Sequence, residues 1–158
     1  METVSTKGGG KFLTFDLGKE VYGIDIRKVR EIIGFKDITA VSQTLDYMKG
    51  VITLRGKVIS VIDLRLKFSM PKKEYTQEAG VIVIEVGNAM IGIIVDNVSE
   101  VLYIKSGEIE NAPHFEQEID MNLIMGLGKI KGKIIILLDI EKFLSCEELE
   151  MVKKTVGN

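Results

Sequence analysis

Apolar positions along the chain fall in short runs, each closed by Gly, Asp, Asn or Lys. Ile and Val dominate these runs, 22 and 15 of the 158 residues. Branching at Cβ stiffens such side chains and suits them to pleated, half-buried surfaces. The runs predict strands at Lys11–Leu17, Glu20–Ile26, Val29–Phe35, Val51–Arg55, Lys57–Asp63, Gly80–Val86, Ala89–Val95, Val98–Lys105, Gly126–Ile130 and Lys133–Asp139. Between them, Leu17-Gly18-Lys19-Glu20, Arg55-Gly56-Lys57, Val86-Gly87-Asn88 and Lys131-Gly132-Lys133 read as tight hairpin turns in which Gly supplies a positive φ. Many short strands with close turns indicate a barrel or sandwich, not a parallel α/β sheet. One helix is signalled over Cys146–Lys154: Ser145 and Glu148 have capping-box spacing, and Leu144, Leu149 and Val152 share a face.

The pattern repeats. At an offset of 69, Gly18, Gly23, Ile26, Val29 and Glu31 fall on Gly87, Gly92, Val95, Val98 and Glu100. At an offset of 76, Gly50, Gly56, Lys57, Val58, Ile62 and Asp63 fall on Gly126, Gly132, Lys133, Ile134, Leu138 and Asp139. The growth by seven puts a longer middle loop, around Ser106–Asn122, in the second half. The expected organisation is a flexible leader (1–10), a first β-barrel subdomain (11–79), a second (80–143), and a C-terminal helix and tail (144–158). The predicted fold class is mostly β: two five-stranded barrels side by side, related by a pseudo-twofold repeat, plus that helix. Each half alone is near the size at which a core is marginal, so an apolar interface between them is expected.

Composition narrows the function. The chain is 46% hydrophobic and 28% charged, which suits a globular domain and not a disordered one. A net charge of -2 argues against generic nucleic-acid binding, which draws on a basic excess. The charge is uneven: residues 1–79 net +4 and residues 80–158 net -6. The one cysteine, Cys146, excludes an internal disulfide, and the one histidine, His114, leaves no His-paired catalysis and has no metal-ligand set within reach by sequence. Both read as inert. Gly126-Leu127-Gly128-Lys129 lacks the G-K-[ST] of a phosphate loop, and the repeat assigns it to a hairpin. No signal-peptide core is visible, and the longest apolar runs are far short of the roughly 20 residues a spanning helix needs. A cytoplasmic protein without cofactor or metal is expected.

The string Gly50-Val51-Ile52-Thr53-Leu54-Arg55-Gly56-Lys57-Val58-Ile59-Ser60-Val61-Ile62-Asp63-Leu64-Arg65 resembles the signature of the CheW-like chemotaxis coupling family. Supporting matches are Val21–Ile26, Val29-Arg30-Glu31-Ile32, Gly92–Val98 and Ile135–Asp139, so the resemblance covers about residues 11–154. Thr53 stands where the family has Asn and Ser60 where it has Pro, and a family Pro is missing near Val41-Ser42. The resemblance implies two SH3-like barrels and a non-enzymatic adaptor. Its implied partners are the regulatory domain of the histidine kinase CheA and the cytoplasmic tip of chemoreceptors, with recruitment to membrane receptor arrays and no insertion into the bilayer.

The resemblance also nominates residues, each beside a plainer alternative. Arg55 is implied in partner binding, toward receptor and kinase; otherwise it is a solvated turn arginine or pairs with Asp63 or Asp46. Glu31 and Val29 are implied at the receptor-facing surface, with Arg30 and Ile32 pointing the other way. Gly50 belongs to the same receptor-side set. A receptor tip needs an apolar groove with a polar rim, for which Val29, Ile33, Val95 and Val98 are candidates, or else they are core between the barrels. Phe115 and Glu110 are implied at the kinase contact; Phe115 alternatively folds back on its own barrel. The reading from another class is a double SH3-like RNA-binding or translation-associated module, favoured by the basic first half and opposed by the acidic total and the lack of Trp. A ligand-binding barrel or enzyme is the third.

Overall fold

The computed structural model describes residues 9–35, 38–40, 46–71, 73–111, 123–145, 148–150 and 152. The chain is mostly β, in two sheets. β1 (Gly9–Leu17) and β2 (Glu20–Asp25) form a hairpin; β3 (Val29–Gly34), β4 (Met48–Leu54) and β5 (Lys57–Asp63) follow, then the short helix α1 (Leu64–Lys67). The second series is β6 (Gly80–Val86), β7 (Ala89–Val95), β8 (Asn97–Lys105), β9 (Ile109–Glu110), β10 (Ile124–Ile130) and β11 (Lys133–Leu138). Gly9 and Gly10, expected in the leader, already pair with Lys105 and Ile104. The pair β9 was absent from the sequence reading because two residues carry no periodicity.

The repeat holds at the level of register. β5 runs parallel to β7 with Ser60 opposite Ile91 and Ile62 opposite Ile93. β11 runs parallel to β2 with Ile136 opposite Tyr22 and Leu138 opposite Ile24, the same pairs carried over by the two offsets. Bulges recur as well: β4 against β5 shifts between Met48 and Gly50, and β10 against β11 between Ile124 and Gly126.

The sheets do not follow the expected cut at residue 79. The six-stranded sheet has the order β8-β1-β2-β11-β10-β9, and the five-stranded sheet β3-β6-β7-β5-β4. Each half keeps its first hairpin in one sheet and sends its remaining strands to the other. The chain therefore passes between sheets twice: through a 3-10 turn at Ile26–Lys28, and through Asp96 between β7 and β8.

The inner strands β1, β2, β6 and β7 are buried along most of their length on both faces, which explains runs more continuous than the alternation of a half-solvated antiparallel sheet, whereas β3 alternates half-buried and exposed positions. Leu13, Phe15, Tyr22 and Ile24 meet Ile82, Ile84, Ile91 and Ile93 in a large central core. The alternate residues turn outward: Phe12 packs with Ile104, Ile135 and Leu137, and Val81 packs with Ile52, Ile59 and Val61. The predicted cap is present at the last helical segment: Ser145 Oγ accepts from Glu148 N at 3.1 Å and Glu148 Oε1 accepts from Ser145 N at 2.9 Å. Val152 from that segment is buried in the central core.

Candidate functional site

The β4–β5 hairpin turns on two residues, Arg55 at φ 52° and Gly56 at φ 81°. Two positive φ values define the turn whose twist suits a hairpin, and the strain falls on Arg55, which has a Cβ. Its repeat partner, the Lys131-Gly132 turn, has φ of 50° and 81°. At this tip the Arg55 guanidinium donates to Glu31 Oε1 at 2.6 Å. Two residues 24 apart in sequence, both nominated by the motif, are thus one ion pair, with Arg55 77% exposed. The alternative partners Asp63 and Asp46 are not used by Arg55: Asp63 caps α1 through Leu66 N and accepts from the Tyr75 hydroxyl. Burial, and after it that carboxylate, push the Tyr75 hydroxyl pKa upward.

Along β3, Val29, Glu31 and Ile33 are half-buried while Arg30 and Ile32 are exposed, the two faces the sequence indicates. Arg30 forms its own pair across to Glu85, 2.5 Å at Nη2. The four apolar candidates do not line one groove. Val29 and Val98 pack against the central core, whereas Ile33 packs against the outer cluster of the five-stranded sheet. Val95 is fully buried, because β7 is the middle strand of its sheet with both faces covered. It is core and not a contact residue.

Gly50 is also buried, and a steric reason explains the residue. A Cβ there would stand 2.2 Å from the Thr39 carbonyl oxygen, where Thr39 and Val51 exchange two 2.8 Å backbone hydrogen bonds. Glu110 is exposed at the end of β9 and pairs with Lys129 at 3.0 Å. Phe115, His114 and Cys146 lie outside the described residues.

Large apolar residues stand in solvent at matched positions on the two sheets. Ile32, Val58, Val101 and Ile134 are between 45% and 54% exposed, and Tyr103 is 58% exposed. The offsets relate Ile32 to Val101 and Val58 to Ile134, so large exposed apolar residues occupy equivalent places on the two sheets. The signal was available in the repeat, but solvent exposure was not: Ile and Val in a strand look like core until the covering layer is known. Among the described residues, no group of three or more His, Cys, Asp or Glu is placed to hold a metal ion, and no helix is long and apolar enough to cross a membrane.

Residues 11–148 match the family model described as "CheW-like domain". The chain is 44% identical to the chemotaxis protein CheW of Klebsiella aerogenes over 91% of this chain and 87% of that protein. It is 32% identical to the chemotaxis protein CheW of Bacillus subtilis over 92% and 93%. A crystal structure of the scaffolding protein TtCheW from Thermoanaerobacter tengcongensis superposes with a TM-score of 0.80, at 33% identity, covering 89% of this chain and 95% of that one.

Proposed function

The chain belongs to the CheW-like domain family, and from that premise we propose that it is a non-enzymatic adaptor coupling chemoreceptors to the histidine kinase CheA. It acts in the cytoplasm, at receptor arrays. The relatives' printed names, chemotaxis protein and scaffolding protein, support this reading. The observation that carries it is the Glu31–Arg55 pair, a solvent-facing ion pair on a strained hairpin tip with no evident role in the core. An ion pair at the exposed tip of a hairpin, outside every core cluster, suits recognition better than stability.

In this reading Glu31, Arg55 and the adjoining half-buried Val29, Ile33 and Val98 serve the receptor side, and Arg55 also meets the kinase. Glu110 and Phe115 belong to the kinase side. The repeat-related exposed pairs, Ile32 with Val101 and Val58 with Ile134, fit docking of like sheet against like sheet on a kinase domain of the same fold. Coupling then requires contacts that differ between the kinase's two states, and no chemistry.

Titration of Arg55→Ala and Glu31→Lys against the kinase regulatory domain and a receptor-tip fragment tests this. Both variants weaken binding while the melting temperature stays nearly unchanged, since exposed pairs contribute about 0–1 kcal/mol. A sharp loss of melting temperature with intact binding assigns the pair to stability instead. Absence of binding by the unaltered chain to either partner removes the adaptor reading.

A further inference from the structure

Asp96 is the single residue between β7 of one sheet and β8 of the other, and it is bonded to both. Its carboxylate accepts from Arg65 Nε at 3.0 Å and Nη2 at 2.6 Å, on α1, which follows β5 of the five-stranded sheet. The same carboxylate accepts from the Gly18 N–H at 2.9 Å, in the β1–β2 turn of the six-stranded sheet. The Asp96 N–H donates to the Asp16 carbonyl at 3.1 Å, and Asn97 Nδ2 donates to the Asp16 carboxylate at 3.1 Å. Arg65 Nη1 reaches the Pro71 carbonyl at 3.5 Å. The Arg65 and Asp96 side chains are 8% and 16% exposed.

The shared central core holds the two sheets together through non-directional apolar contact, and the crossings fix only two points of the chain. A two-pronged guanidinium–carboxylate pair adds what a chain crossing lacks, a directional restraint, and burial protects it from screening. The candidate contact residues begin directly after the crossings: Val29 follows Lys28, and Val98 stands two residues beyond Asp96. We infer that Arg65 and Asp96 are positioning residues for coupling: their pair pins the angle between the two sheets, so that the surfaces on β3 and β8 move as one body. The functional half of this inference rests on the adaptor reading; the mechanical half does not.

Spin labels at Val58→Cys and Ile134→Cys in a Cys146→Ser background put one exposed probe on each sheet. Distance distributions between them broaden in Asp96→Asn and in Arg65→Lys, and stay as narrow as the parent in Glu141→Gln. Arg65→Lys keeps the charge and loses only the fork, so it carries the comparison if Asp96→Asn does not fold. Unchanged distributions in the folded variants overturn the inference. In reconstituted receptor–kinase assemblies, the variants bind each isolated partner within about twofold of the parent, while kinase activation at saturating adaptor falls about fivefold or more. Parallel loss of binding and activation makes the pair merely structural. A parent that binds neither partner sinks the adaptor reading, and the label distances still decide the clamp.

Discussion

The two passages of the chain between sheets occupy related positions, yet their charges are reversed. The offsets that align the strands carry Asp96 to Arg27 and Arg65 to Glu141. At Asp96 the crossing is one residue long and its ion pair is largely buried. At Ile26–Lys28 it is three residues long, Lys28 pairs with Glu141 in the open, and Arg27 lies against Asp25 at 2.6 Å. The lesson is that a fold repeat preserves backbone register while electrostatics diverge. The shorter crossing draws its charges under cover, where a pair is directional and costly to break. The longer one leaves Lys28 and Glu141 in water, where such a pair contributes little.

The sharpest way to break this comparison is to remove one member of each pair. Arg65→Ala strands the Asp96 carboxylate and destabilises by about 3–5 kcal/mol, a fall of roughly 10 °C in melting temperature at this size. Equal losses in Arg65→Ala and Glu141→Ala, measured by urea unfolding, would show that burial is not what separates the crossings.

A smaller effect separates the two halves at their bulges. Gly50→Ala puts a Cβ 2.2 Å from the Thr39 carbonyl oxygen, whereas Gly126→Ala puts one 2.8 Å from that of Glu110. The former costs about 2–3 kcal/mol and the latter about 1 kcal/mol. A reversed ranking in thermal melts would remove the steric account of Gly50.

Acid titration sharpens the same contrast. Burial pushes the Asp96 carboxyl pKa up, but the Arg65 guanidinium and the Gly18 N–H outweigh burial and hold it below the ordinary 3.8. A lowered folded pKa means stability that is present above the unfolded value and is lost as pH falls through the folded one. Asp96→Asn is therefore less stable than the parent at pH 7, and the difference narrows below about pH 4. A constant difference between pH 7 and pH 2 would detach the pair from that titration.

Least of all should Glu141→Gln matter. Its effect is within about 0.5 kcal/mol and shrinks further in high salt. A larger, salt-insensitive loss would give the first crossing the weight here assigned to the second.

Strand positions, hairpin turns, the cap at Ser145–Glu148 and the repeat with its two offsets were legible in the sequence, because each is a local or periodic property of the chain. The exchange of strands between sheets was not. Dividing the chain at residue 79 respects the repeat but misses that β3 pairs with β6 and β8 with β1. Alternation states which side of a strand is apolar; it does not say which strand lies beside it or what covers that side. The same limit moved Val95 and Gly50 from the candidate surface into the interior, and it hid the solvent exposure of Val58 and Ile134. It also explains why Arg55 and Glu31 were nominated one by one and joined only in three dimensions. Sequence thus determined the elements and their twofold kinship, since short-range sterics and periodicity act along the chain. Tertiary structure alone decided which charges are buried and which apolar residues remain in water, since both depend on contacts between residues far apart in sequence.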